Sequence, residues 1–181
     1  MQPADYIDIS AGAHAFGDGN HPTTRMVLAA LSAIDPQHFT PHNACDMGAG
    51  SGILSLAIAQ QFHCPITAVE LERKAVETLR ENAVANGMAE RITAIHADGF
   101  RHADVAANAP FDLIVMNILA DPLLMLAADA EANLSPGGVC IISGLLLWQE
   151  AQIREAYEGL GLELAERLSM GDWVCLIWQK P

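Results

Sequence analysis

The stretch Cys45-Asp46-Met47-Gly48-Ala49-Gly50-Ser51-Gly52 constrains everything around it. It follows the turn-like Thr40-Pro41-His42-Asn43 and precedes the apolar run of residues 53–59. That context predicts strand, glycine-rich turn, then helix. Glycine stands where a backbone takes positive φ or lets a ligand come close. The next helix points its free N–H groups and positive dipole end at whatever occupies the turn. Open α/β sheets bind their ligands at such turns, at the carboxyl ends of strands.

The dinucleotide fingerprint G-x-G-x-x-G/A is met only in part. Gly48 and Gly50 fit, but the third position falls on Ile53 and Gly52 sits one residue early. Asp46, two residues before the first glycine, adds a carboxylate. Carboxylate and N–H groups together suit a ligand with hydroxyls and a cationic centre better than a pyrophosphate. The pattern D-x-G-x-G-x-G resembles motif I of the class I S-adenosylmethionine (SAM) methyltransferases. Turns of this kind also serve as plain tight connections, and a dehydrogenase is a distant alternative. Glu70 lies roughly 20 residues beyond the turn, at the end of the next strand, where a carboxylate accepts hydrogen bonds from ribose hydroxyls. Glu72, in the following helix start, suits the helix dipole.

Alternation of apolar runs and helical periodicity sets the fold. Helices are predicted over 25–34, 53–62, 72–86, 123–133 and 148–160, and strands over 43–47, 65–70, 91–96, 111–116 and 139–143. Residues 16–24 read as a loop, with Thr23 or Thr24 capping the helix that follows. Residues 135–138, Ser-Pro-Gly-Gly, read as a turn. Residues 162–168 and 173–178 form a pair about Met170-Gly171-Asp172, consistent with an antiparallel hairpin. The reading is a doubly wound, mostly parallel α/β sheet in one domain. At 181 residues the chain is long enough for a substantial core.

Charge and composition narrow the partners. A formal net charge of -13 argues against a phosphate-backbone partner, so no direct nucleic-acid binding is expected. No run reaches the roughly 18 apolar residues of a membrane span, and residues 1–8 lack the basic start of a signal peptide. Cys45, Cys64, Cys140 and Cys175 form no C-x-x-C and read as reduced core thiols of a cytoplasmic protein. His38 and His42 are separated by Pro41, and no histidine spacing suggests a metal.

The remaining motifs make the resemblance specific. Phe16-Gly17-Asp18-Gly19-Asn20-His21-Pro22-Thr23-Thr24, the turn from Asp46, and Asn117-Ile118-Leu119-Ala120-Asp121-Pro122-Leu123 resemble the ribosomal protein L11 methyltransferase family. So do Ser143-Gly144-Leu145-Leu146 and Trp173-Val174. The resemblance implies a seven-stranded Rossmann-like class I sheet, including its last two strands, and SAM as cofactor. It implies SAM contacts at Thr24, Gly48, Glu70 and Asn117, joined on the residue reading by Asp46 and Gly50. Asp98 would meet the adenine, or simply form an Asp-Gly turn. Asn117 carries both a donor and an acceptor where methyl donor and acceptor meet, and is the expected catalytic residue. His21 would wall the amine channel or be a loop histidine held by Pro22.

The implied acceptors are amines: a lysine side chain or N-terminal α-amine of ribosomal protein L11 or another protein. Asp18 departs from the family's usual small or hydroxyl residue. The family's N-terminal recognition domain is expected to be absent, leaving one methyltransferase domain over 1–181 with residues 1–24 as N-terminal segment and active-site loop. Alternatives are a methyltransferase of the same fold acting on a small molecule or RNA, and a non-catalytic SAM-binding domain.

Overall fold

A computed structural model describes residues 19–181. The elements in chain order are α1 (Pro22–Ala33), β1 (Ala44–Met47), α2 (Ile53–Phe62), β2 (Ile66–Glu70), α3 (Arg73–Ala85), β3 (Ile92–His96), α4 (Ala103–Ala106), β4 (Phe111–Asn117), α5 (Ala120–Asn133), β5 (Leu134–Leu146), α6 (Glu150–Gly159), β6 (Glu163–Met170) and β7 (Trp173–Gln179). One seven-stranded sheet has the order β3-β2-β1-β4-β5-β7-β6. The β1–β5 pairings are parallel, and β7 joins β5 and β6 antiparallel. The doubly wound sheet and its terminal hairpin are therefore as expected.

Side chains of β4 alternate between two cores, as strand pleating requires. Ile114 and Met116 pack with Phe100, Val105, Leu123 and Tyr157 under α4–α6. Leu113 and Val115 pack with Leu31, Leu56, Ile58 and Leu79 under α1–α3. The edge strand β6 is mostly exposed and carries Glu163, Glu166 and Arg167, charges that discourage pairing with another chain. All four cysteines are buried free thiols. Burial pushes Cys140 and Cys175 up to about 12, so neither offers a thiolate nucleophile.

Several boundaries differ from the sequence reading. Pro22, Thr23 and Thr24 are the first turn of α1, not loop, because proline's fixed φ suits the first helical position. The cap is His21, whose Nδ1 accepts from the Thr23 N–H at 3.4 Å, and not either threonine. The rest of that expected loop, residues 16–18, lies outside the described residues, as does Asp18. Residues 135–138 belong to β5 rather than to a turn. Gly137 donates to the Lys180 carbonyl at 2.8 Å and Gly138 accepts from the Lys180 N–H, so the chain end completes the ladder there. Helix α5 starts three residues earlier than expected, and a 3₁₀ turn, Leu147–Gln149, precedes α6. Helix α4, four residues long, was not anticipated.

Strand order reverses between β1 and β4, opening a crevice at their carboxyl ends. Val69, Met47 and Met116 are in register across β2, β1 and β4. Glu70, Gly48 and Asn117 therefore stand side by side as the next residues off three neighbouring strands.

Candidate active site

A cavity of about 750 Å³ occupies this crevice. Its walls include Gly48, Ala49 and Gly50 after β1, Glu70 and Leu71 after β2, and Ala97, Asp98 and Gly99 after β3. Asn117, Ile118 and Leu119 close it beyond β4, with His21, Thr24, Gly144 and Trp173 at the far end. Its size suits a nucleoside-scale ligand.

The glycine turn is tied to its neighbours. Gly48 and Ala49 N–H groups both donate to the Val69 carbonyl, at 2.8 and 3.0 Å. Gly50 N–H donates to Glu70 Oε2 at 2.9 Å, and Glu72 N–H donates to Glu70 Oε1 at 2.8 Å. Each Glu70 oxygen thus takes one backbone donor and retains capacity for another. Gly48 has φ 77°, and a Cβ there would collide with Ile118. The turn and the segment after β4 come together only because position 48 has no side chain.

Asn117 ends β4 and donates from Nδ2 to Thr24 Oγ1 at 3.3 Å. Its Oδ1 is buried and has no hydrogen-bond partner. A buried carbonyl oxygen without a donor costs roughly 1–3 kcal/mol. Such an atom on a cavity-lining side chain is a ready acceptor for a ligand N–H. Gly144, φ 91°, lets β5 pass against the backbone of Ile118, which a Cβ would strike.

His21 stands edge-on to Trp173, ring centroids 5.0 Å apart at 72°. Its Nδ1 faces Thr23 Oγ1 at 2.8 Å as well as the Thr23 N–H. An Nδ1 that accepts from the backbone leaves the neutral ring's proton on Nε2. His21 is therefore a wall of the cavity and the cap of α1.

Asp46 takes a different place from the other expected site residues. It is 1% exposed and does not line the cavity. Ser55 Oγ, in the first turn of α2, donates to Asp46 Oδ2 at 2.6 Å, and Asp46 Oδ1 has no partner. Burial raises the carboxyl from 3.8 to about 6, Ser55 hydrogen bonds oppose this, and the Glu70 charge adds to it. Asp46 thus acts on the turn from behind. Asp98 does line the cavity, beside Gly99, where a Cβ would meet Leu126 Cδ2 at 2.9 Å. Leu71, 65% exposed, and Leu126, which packs over Gly99, are apolar parts of the same lining.

The structure gathers Thr24, Gly48, Gly50, Glu70, Asp98, Asn117 and His21 around one cavity. Sequence reasoning gave no role to Leu126, Ile118 or Met125, which also line it. Apolar residues on a helix carry no signal that separates cavity wall from core. Trp173 and Gly144 entered only through motif resemblance.

Comparison with known proteins agrees with this geometry. The family model described as Ribosomal protein L11 methyltransferase (PrmA) matches residues 3–181. The chain is 42% identical over 170 residues to the ribosomal protein L11 methyltransferase of Chelativorans sp. (strain BNC1), covering 94% of this chain and 58% of that protein. It is 41% identical over 178 residues to that of Brucella abortus (strain S19), covering 97% and 61% respectively. The chain thus spans about three-fifths of the length of these relatives. The crystal structure of a ribosomal protein L11 methylase from Lactobacillus delbrueckii subsp. bulgaricus superimposes with TM-score 0.81 at 28% identity, over 92% of this chain and 82% of that one. A methyltransferase from Pyrococcus furiosus shares the fold, with TM-score 0.75 at 21% identity over 96% and 89% of the two chains. With its fold, its switch-point cavity and a match over nearly its full length, this chain belongs to the ribosomal protein L11 methyltransferase family.

Proposed function

We propose that this chain is a SAM-dependent N-methyltransferase acting on a protein amine, with ribosomal protein L11, named in its relatives, as the first acceptor to test. One observation carries the reading. A ribose-type carboxylate, Glu70, and an unpartnered amide oxygen, Asn117 Oδ1, meet at one cavity at the ends of β2 and β4.

The residues present fit the cofactor. Glu70 is held in place by Gly50 and Glu72 N–H groups and can still accept from two hydroxyls. Leu71, Leu126 and Asp98, all in the cavity lining, would hold the adenine. Asp46 lies off the cavity, bonded to Ser55, and would not itself hold the ligand. The bound cofactor supplies a methyl group on a sulfonium, which is the electrophile.

The chain's own residues prepare the amine. A lysine amine has pKa about 10.4, so its neutral form costs about 4–5 kcal/mol at pH 7. Apolar walls at Ile118, Leu119 and Trp173 disfavour the ammonium and so favour the neutral amine. Asn117 Oδ1 accepts one amine N–H and turns the nitrogen lone pair toward the methyl carbon. With the donor bound, the methyl group would pass from its sulfur to the amine nitrogen held by Asn117, and the surplus amine proton would leave to water. Most of the rate comes from this positioning, because the sulfonium needs no further activation. His21 holds the start of α1 and, through it, Thr24 against Asn117.

Methyl-labelled SAM with purified ribosomal protein L11, and with a fractionated lysate, tests the reading. Label on protein lysine or α-amine nitrogen, identified by mass spectrometry, supports it. Label confined to RNA or to small molecules, or SAM binding without any transfer, overturns it.

A further inference from the structure

A buried amide outside the cavity carries a role of its own. Asn82 lies on α3, is 0% exposed, and does not line the cavity. Its Nδ2 donates to the Ser51 carbonyl at 2.8 Å, across 31 positions of sequence. Ser51 sits in the glycine turn. The next amide, Gly52 N–H, donates to the Ala49 carbonyl at 2.8 Å. The Ser51–Gly52 peptide is therefore gripped at both its oxygen and its nitrogen, and Asn82 supplies the grip on the oxygen from outside the turn.

Leu79, on the same helical face three residues earlier, adds a steric constraint. Gly52 has φ 85°, and a Cβ there would meet Leu79 Cγ at 2.8 Å. Glu72, the N-cap of helix α3, holds Glu70 Oε1 through its N–H. One helix thus fixes both the carboxylate after β2 and the turn after β1. An asparagine on a fully buried helical face is otherwise hard to justify, since its Oδ1 has no partner and a leucine would pack there without that cost.

We infer that Asn82 is a positioning residue for cofactor binding, holding the Ser51–Gly52 peptide in the orientation that shapes the turn beneath the ligand. The inference rests on the proposed SAM site. It separates affinity from chemistry, because Asn82 acts on the turn and has no contact with Asn117.

The test combines two variants with a direct measurement on the native chain. Asn82→Leu and Asn82→Asp both remove the donor, the second with little change of size. Calorimetry should find the SAM dissociation constant raised about tenfold in each, with turnover at saturating SAM within about twofold of native. Hydrogen exchange of the Gly50 and Gly52 amides in the ligand-free protein should speed up in both variants. Lower thermal stability with unchanged affinity and unchanged turn exchange would mean that Asn82 only supports the core, and would overturn the inference. In the native chain, NMR should detect a scalar coupling across the hydrogen bond from Asn82 Nδ2 to the Ser51 carbonyl, and SAM should slow exchange of that side-chain amide. Absence of both would overturn the inference even if neither variant folds. A native chain that binds no SAM would instead remove the functional reading on which the inference stands.

Discussion

Along β1 and β2 both Glu70 oxygens and the Gly48, Ala49 and Gly50 amides have partners in the wall, whereas at the end of β4 the Asn117–Thr24 bond leaves a buried oxygen without a donor. Glu70 accepts from Gly50 and Glu72, the Val69 carbonyl holds Gly48 and Ala49, and Asn82 holds Ser51. That half is organised before any ligand arrives, which lowers the cost of ordering on binding. On the other half, Asn117 keeps a buried oxygen without a donor, and Leu119 and Met125 stand 70% and 81% exposed. A wall left unsatisfied in this way gains most from a second ligand. On the proposed function, cofactor grip falls to the first half and acceptor handling to the second.

Substitutions on the two sides should separate cleanly. The largest effect is expected from Gly144→Ala. A side chain at φ 91° would strike the Ile118 backbone, and we expect a loss of about 3 kcal/mol in stability, seen as a melting temperature lower by about 10 °C. Asn117→Ala should cut turnover by about 100-fold while leaving the SAM dissociation constant within about threefold, the scale of losing one aligned hydrogen bond at a reacting centre. Equal loss of both would place Asn117 in the cofactor half instead. Glu70→Ala should do the converse, weakening SAM binding by about 30-fold in calorimetry, as two charge-assisted hydrogen bonds are lost.

The most condition-dependent effect concerns Asp46 and pH. Its folded-state carboxyl sits at about 6 against 3.8, so the folded protein holds the extra proton between these values. Stability from this group is therefore full below about pH 4, falls as pH rises, and stays low above about pH 6. Asp46→Asn keeps an acceptor for Ser55 and removes the charge. Denaturant unfolding should find the variant more stable than native by up to about 3 kcal/mol at pH 8, with the gap closing toward pH 4. A constant gap across that range would place the charge elsewhere.

Much of this contrast could be read in the chain before folding. The Asp46–Gly52 motif and the acid at Glu70 announced the bonded half, because positive φ and a carboxylate at a strand end leave marks in residue type. Parallel strands buried on both faces, such as Phe111–Asn117, stood out as apolar runs. What escaped depends on partners distant in sequence. Residues 135–138 look like a turn until Lys180 pairs with them. Asp46 looked like a ligand contact, but Ser55 draws it behind the turn. Asn82 directly follows the charged pair Arg80-Glu81, and its residue type does not mark it as facing inward. The unsatisfied half was visible only as motif resemblance at Asn117 and Trp173, since an orphaned oxygen is a property of packing.

A crystal structure with bound S-adenosylhomocysteine tests the division of the cavity most directly. The account predicts the ribose hydroxyls on Glu70, the adenine against Leu71 and Leu126, and the sulfur turned toward Asn117. A ribose bound away from Glu70, or a sulfur facing away from Asn117, would contradict it.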